Sequence, residues 1–306
     1  MLDAALLGTG GMMPMPNRFL ASFALRLDGK LLLIDCGEGT QVSHRILGWG
    51  FKNIDVICIT HFHADHISGL AGLILTIANS NREDALTIIG PPGLCDVASS
   101  LLVIVPELPF EIIFKELEFT PGVTQNIKAA GFDISAFPLK HRMACFAYSA
   151  ELSRPGRFDA ERAKELEIPL KYWNVLQKGQ DVKYEGKTFT PSMVLGTQRR
   201  GLKISYCTDT RPVDGLADFV RHSDLFVCEG LYGDNEKLEK AASHRHMIYS
   251  EAAKIAKDAE VSELWLTHFS PAMLNPSEFL KNARNIFPNS HAGSDRKNKT
   301  FKFIDE

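Results

Sequence analysis

The stretch Thr60-His61-Phe62-His63-Ala64-Asp65-His66 constrains this chain more than any other. Three imidazoles and a carboxylate within six positions are hard to explain as packing, because buried polar groups need partners. His and Asp are natural ligands for Zn2+, at about 2.0–2.2 Å. The cluster follows the apolar run 56–59 and precedes a helical pattern that starts near Ile67. A fold that holds it must end a buried strand in a turn that opens a helix. At the strand end, His61 and His63 stand two apart and point the same way. The turn then aims Asp65 and His66 at a neighbouring position, so one metal can take the first pair and a second metal the other.

A two-metal site needs further ligands from other strand ends. Three residues fit: His141 after the apolar strand ending at 138–140, Asp209 after 204–207, and His268 after 264–267. Each is a lone ligand type directly after a buried strand. Alone, such a histidine reads as a hydrogen-bonded turn residue; alongside the His/Asp cluster, the three read as ligands.

The rest of the chain predicts alternating strands and helices. Strands are expected at 4–7, 23–27, 31–34 and 56–60, with a hairpin turn at Asp28-Gly29. Helical patterns fall at 40–47, 67–78 and 93–103. A second strand set lies at 133–138, 144–152, 203–207, 225–228 and 263–267, with helical patterns at 214–222, 247–259 and 276–285. Two strand-and-helix halves suggest two sheets packed together with helices outside. Between them, 151–203 reads as an inserted arm with a short helix at 159–167 and a Tyr172-Trp173 pair.

The chain has 306 residues, enough to bury a large core without disulfide staples. None of the six cysteines forms a CxxC pair, and most lie in apolar runs, which predicts reduced core thiols in the cytoplasm. The N-terminus shows no secretory signal, and no apolar run reaches membrane-spanning length, so no membrane partner is expected. Net charge is −3, but the arm carries 11 basic against 7 acidic residues and the remainder 23 against 30. A basic segment on an acidic body points to a polyanionic partner.

The cluster resembles the H-x-H-x-D-H signature of the metallo-β-lactamase superfamily. Several further segments are similar to the ribonuclease Z family: 6–10 (Leu-Leu-Gly-Thr-Gly), 33–41 (Leu-Ile-Asp-Cys-Gly-Glu-Gly-Thr-Gln), Gly90-Pro91-Pro92-Gly93, Pro155-Gly156 and Leu266-Thr267-His268. The resemblance covers nearly the whole chain. It implies an α/β fold, the four-layer αββα sandwich with an inserted exosite arm at 151–203, in a single domain spanning 1–306. It implies one Zn2+ on His61, His63, His141 and Asp209, and a second on Asp65, His66, His268 and the bridging Asp209. Mn2+ and Fe2+ tolerate the same ligands. A hydroxide between the metals would attack phosphorus and cut precursor tRNA after the discriminator nucleotide, leaving a 3′-hydroxyl. By the same resemblance, His246 with Glu229 protonates the leaving oxygen, Asp65 accepts a proton, and the protein is a homodimer whose arm grips tRNA.

The chain departs from the family in places. The family's H-E-A-T reads Cys228-Glu229-Gly230-Leu231, and its H-S-T reads His246-Met247-Ile248. In the arm, a Pro-Pro-Gly-Pro run is replaced by residues 168–173, with two aromatics; Trp173 can stack on a base or join arm to body. Substrate contacts are expected from Arg154, Arg157, Tyr148 and Arg211, with Arg18 and Arg142 as further cations. Asp35 and Glu38 are expected to steady the metal-bound histidines or cap a turn. Gly8-Thr9-Gly10-Gly11 reads as a tight turn bordering the site. The alternative is a small-molecule phosphodiesterase or sulfatase-like hydrolase on the same scaffold. A silent RNA-binding protein is disfavoured because no ligand is lost.

Overall fold

The apolar runs form two seven-stranded sheets. The computed structural model describes residues 1–303. The first sheet contains β1 (Leu2–Gly8), β2 (Ser22–Leu27), β3 (Lys30–Ile34), β4 (Ile54–Cys58), β5 (Leu86–Gly90) and β6 (Ile112–Glu116). The second begins with β7 (Gln125–Ala129), β8 (Phe132–Pro138) and β9 (Phe146–Arg154). A hairpin of β10 (Val182–Tyr184) and β11 (Lys187–Phe189) follows. The second sheet then resumes with β12 (Arg199–Cys207), β13 (Leu225–Glu229), β14 (Leu264–Thr267) and β15 (Ser290–Ala292). The last strand, β16 (Asn298–Phe301), returns to the first sheet. The orders are β16-β1-β2-β3-β4-β5-β6 and β15-β14-β13-β12-β9-β8-β7.

Alternation along each strand splits the side chains between two faces. In the first sheet, Leu31, Leu33, Ile57 and Ile88 pack on Leu70, Leu73, Ile74 and Ile77 of the helix Leu70–Ala78. In the second, Cys207, Phe226, Cys228 and Leu264 pack on Ala252, Ala253 and Ala256 of the helix Tyr249–Asp258. The opposite faces meet each other: Phe23 of β2 stacks on Tyr206 of β12, with ring centroids 5.7 Å apart. Helices therefore cover the outer faces of two stacked sheets, as the resemblance implied. β3, β4, β5 and β6 pair in parallel, and so do β12, β13, β14 and β15. Parallel pairing brings the carboxyl ends of neighbouring strands to one edge, where ligands of α/β proteins gather.

The helix expected over 67–78 is two helices, Ala64–Ile67 and Leu70–Ala78. The break falls at Ser68-Gly69, where the Gly69 N–H leaves the helical ladder and donates to the Cys36 carbonyl (2.9 Å). The pattern at 214–222 yields only Leu216–Phe219. All six cysteines are free; five are buried and Cys95 is exposed. Among the described residues, no helix is long and apolar enough to cross a membrane.

The chain divides into two compact units. One is Met1–Glu151 with Lys203–Lys302, and the other is Leu152–Leu202 with Phe303. The smaller unit has its own core of Ala163, Ile168, Leu176, Val182, Phe189 and Val194. Its helix Ala160–Glu165 starts at Asp159, whose carboxylate accepts the Arg162 N–H (2.8 Å). Trp173 packs against this core, and its indole N–H donates to the Ile168 carbonyl (2.8 Å). Its ring lies 5.2 Å from that of Phe158. Trp173 therefore staples the small unit internally while remaining half-buried.

Candidate metal centre

Seven ligand-type residues scattered over the sequence converge at the carboxyl ends of the strands. His61 and His63 follow β4, His141 follows β8, Asp209 follows β12 and His268 follows β14. Asp65 and His66 lie on the short helix Ala64–Ile67. Their donor atoms form two groups: His61, His63, His141 and Asp209, and Asp65, His66 and His268; a third group joins Asp209, His246 and His268. Within each group the donor atoms lie within 4.8 Å of one another.

The separations fit ions. Ligands about 2.0–2.1 Å from a tetrahedral ion lie roughly 3.3 Å from each other. In the first group, His61 Nε2 is 3.0 Å from His63 Nδ1 and 3.5 Å from Asp209 Oδ2. His141 Nε2 is 3.2 Å from His63 Nδ1 and 3.8 Å from Asp209 Oδ2. In the second group, His66 Nε2 is 3.0 Å from His268 Nε2 and 3.3 Å from Asp209 Oδ1. His268 Nε2 is 3.1 Å from Asp209 Oδ1 and 3.2 Å from Asp65 Oδ2. Each oxygen of the buried Asp209 thus faces a different group. Nitrogen lone pairs aimed at one another across such distances suit a shared divalent cation far better than hydrogen bonding.

The surrounding residues fix these donors. Asp35 is fully buried and accepts from the Thr60 N–H (2.8 Å), the Thr60 hydroxyl (2.9 Å) and His66 Nδ1–H (2.7 Å). A proton held on Nδ1 leaves His66 Nε2 free to ligate. Asp35 therefore steadies a histidine as expected, whereas the Glu38 side chain is exposed and its carbonyl accepts from the Leu20 N–H (3.2 Å). Asp35, Asp209 and His268 all adopt left-handed backbone, at φ 63°, 36° and 59°. Such conformations are costly for non-glycine residues and cluster at functional sites.

The first turn also closes on the centre. Gly11 passes so near His268 that a Cβ there would lie 2.6 Å from its imidazole. The next residue, Met12, donates its N–H to Asp65 Oδ2 (2.6 Å). Gly8-Thr9-Gly10-Gly11 thus frames the site, and Asp295 holds this loop through the Thr9 hydroxyl (2.8 Å) and the Phe19 N–H (2.7 Å).

The electrostatics follow from burial and crowding. Burial would raise the Asp209 carboxyl, but the surrounding His268, His66 and His61 hold it well below the usual carboxylate range. Burial also opposes ionisation of Asp65, yet the hydrogen bond from His268 and nearby imidazoles lower it. Burial lowers His61 and His63, and it takes His141 down to about 3, which favours neutral, ligating imidazoles. His246 goes the other way. Burial would lower it, but the Glu229 carboxylate, 3.1 Å from Nδ1, raises it to about 9. His246 Nε2 lies 3.9 Å from Asp209 Oδ2, and Glu229 also accepts the Thr210 N–H (2.7 Å).

Two of the expected substrate contacts in the larger unit are engaged within the fold. Tyr148 is fully buried and donates its hydroxyl to the Ile59 carbonyl (2.9 Å), so it offers no face to a ligand. Arg211 is committed to the Glu251 carboxylate and to the His246 carbonyl (2.6 Å). It shapes the loop that carries His246. Arg18 donates to the Met273 and Leu274 carbonyls (2.9 and 3.0 Å). Arg154 is buried in the small unit over the Phe303 ring (4.9 Å), and Arg157 is exposed there. Sequence reasoning missed Arg245, whose guanidinium donates to the His141 carbonyl; an isolated arginine 104 residues away carries no local signal of that contact.

Comparison with known proteins agrees with this architecture. Residues 2–101 match the family described as anti-Pycsar protein Apyc1. The chain is 54% identical over 306 residues to ribonuclease Z of Clostridium acetobutylicum, covering 99% of both chains. It is 51% identical to ribonuclease Z of Lachnospira eligens, covering 100% of both. Among solved structures, human tRNase Z, short form, is similar with a TM-score of 0.72 at 25% identity, covering 98% of this chain and 100% of that one. The metallo-β-lactamase fold protein YhfI of Bacillus subtilis shares the fold with a TM-score of 0.68 at 19% identity, covering 97% and 98%. End-to-end identity above one half leaves one assignment: the chain belongs to the ribonuclease Z family, metal-dependent endoribonucleases on the metallo-β-lactamase fold.

Proposed function

We propose that this protein cuts precursor tRNA on the 3′ side of the discriminator nucleotide, at a centre for two Zn2+ ions. The observation that carries this reading is the Asp209 carboxylate, with Oδ2 toward His61 and His141 and Oδ1 toward His66 and His268. Two donor groups sharing one carboxylate suit phosphodiester hydrolysis, in which charge develops on both the attacking and the leaving oxygen. When bound, such ions lower the pKa of water and neutralise that charge.

The chain's own residues orient the groups and move the protons. Asp65, held by the Met12 N–H, accepts a proton on the attacking side. His246 keeps Nδ1–H on Glu229 and presents Nε2 toward Asp209. Its proton goes to the ribose O3′ as the P–O3′ bond breaks, leaving a 3′-hydroxyl on the tRNA and a 5′-phosphate on the trailer. The unit Leu152–Leu202 is the tRNA grip in this reading, and the working form is a cytoplasmic homodimer.

The test is cleavage of a precursor tRNA with a short 3′ trailer by wild type and Asp209→Ala, with Zn2+ and with chelator. One metal-dependent cut at the discriminator, absent in the variant, is expected. A zinc-loaded wild type that leaves the precursor intact would overturn the reading.

A further inference from the structure

A cleft of about 600 Å3 opens beside the metal centre, between the segment after β6 and the loop joining β8 to β9. None of the seven ligand-type residues except His141 touches it. Buried Phe137 and Leu139 line its floor. Half-buried Phe119 forms one wall, held edge-to-face on buried Phe146 with centroids 5.5 Å apart. Met143 and Val213 add further apolar surface. Lys140 and Arg142 flank His141, and both are exposed on the lining. Neither forms an ion pair among the described residues.

The loop is tied to the segment that carries Asp209. The Lys140 N–H donates to the Thr210 hydroxyl (3.0 Å), and the Lys140 carbonyl accepts from the Arg211 N–H (3.3 Å). The Lys140 backbone is therefore fixed, and Lys140 and Arg142 each stand one residue from the ligand-type His141.

We propose that this cleft is a subsite for one unpaired nucleotide of the RNA strand, adjoining the scissile phosphate. The inference rests on the nuclease reading above. The volume is that of a small-ligand pocket, and apolar and aromatic walls with a few polar groups are the usual lining of one. An aromatic wall takes a base by stacking, which tolerates any base. The free cations at the mouth take the backbone phosphate. Asp214, the acidic group on the lining, accepts an N–H from the base edge. In a duplex the base faces are already stacked, so the occupant is single-stranded.

The test uses full-length protein and precursor RNAs with one abasic residue at each position flanking the cut. In wild type, one abasic position should lower kcat/KM about 10-fold, the scale of one base–aromatic stack. Phe119→Ala should lower cleavage of the intact RNA by a similar factor, and the two changes together should cost no more than either alone. Phe119→Tyr, which keeps the ring, should restore the response. Multiplying effects, or indifference to every abasic position, would overturn the subsite. Arg142→Ala, a surface change that keeps the fold, should flatten the slope of log affinity against log salt by about 0.7, one single-strand phosphate contact. An unchanged slope would remove the phosphate from the subsite. If wild type fails to cut intact precursor, the nuclease reading falls and the subsite falls with it; that result needs no variant.

Discussion

The metal centre and the small unit at Leu152–Leu202 are built by opposite means. The centre is a dense set of buried ionisable groups: Asp35, His61, His66, Asp209, Glu229 and His268 are each at most 2% exposed. Its backbone is strained at three of its residues, and its donors come from positions as far apart as 61 and 268. The small unit is local in sequence and rests on a modest apolar core, with ion pairs such as Lys164–Glu161 on its surface. Buried ion networks lose much when one member is removed. Exposed pairs contribute little. Chemistry is thus concentrated where substitutions are least tolerated, whereas changes at the exposed ion pairs of the small unit cost little.

The largest expected effect tests the centre. Asp65→Asn removes a ligand charge and should cost ~10³-fold or more on tRNA and on bis(p-nitrophenyl) phosphate alike, since several kcal/mol of charge stabilisation is at stake. A loss confined to tRNA would place Asp65 outside the chemistry.

The next test removes the small unit. The Arg157 carbonyl accepts the Gly196 N–H at 2.9 Å, so the neck can be closed by joining these residues and deleting 158–195. Cleavage of tRNA should fall about 10²-fold or more, the weight of several lost phosphate contacts. The small ester should be hydrolysed nearly as before, and equal losses on both substrates would show that the unit does not grip RNA.

Glu229→Gln should lower kcat on tRNA by roughly 10²-fold, at the low end of general-acid contributions. In the metal-free protein, NMR titration should show His246 falling from about 9 toward its ordinary value near 6.5. Because the folded pKa is raised, this pair's stabilisation is fully present below about pH 6.5 and lost as pH rises through about 9. An unmoved His246 titration would dismiss Glu229 as its partner.

The smallest effect on chemistry comes from Leu176→Ala, which empties a fully buried site in the small unit. It should cost about 2–5 kcal/mol in local stability, read by hydrogen exchange confined to that unit, with hydrolysis of the small ester unchanged.

Much of the centre was legible in the sequence, because its metal chemistry demands particular residue types directly after buried strands. His61, His63, Asp65 and His66 announce themselves by local density, and His141, Asp209 and His268 each follow an apolar run. The departures from the family pattern were legible only as differences. In the structure, a Cβ on Gly230 would lie 2.6 Å from the Tyr249 ring, so that small residue and that large one fit each other across the segment behind His246. Strands β6, β7, β15 and β16 escaped sequence reading because they are short edge strands with polar or exposed positions.

The sequence by itself determined the ligand types, the two-sheet architecture and the separate basic segment, since each depends on local pattern: a buried run, a turn, a cluster of donors. The tertiary structure alone decided which groups meet. It buried the Tyr148 hydroxyl against the Ile59 carbonyl, paired Arg211 with Glu251, joined Arg245 to His141, aimed the two oxygens of Asp209 at different donor groups and opened the cleft at Phe119. These are distances between residues far apart in the chain, and packing fixes them where periodicity cannot.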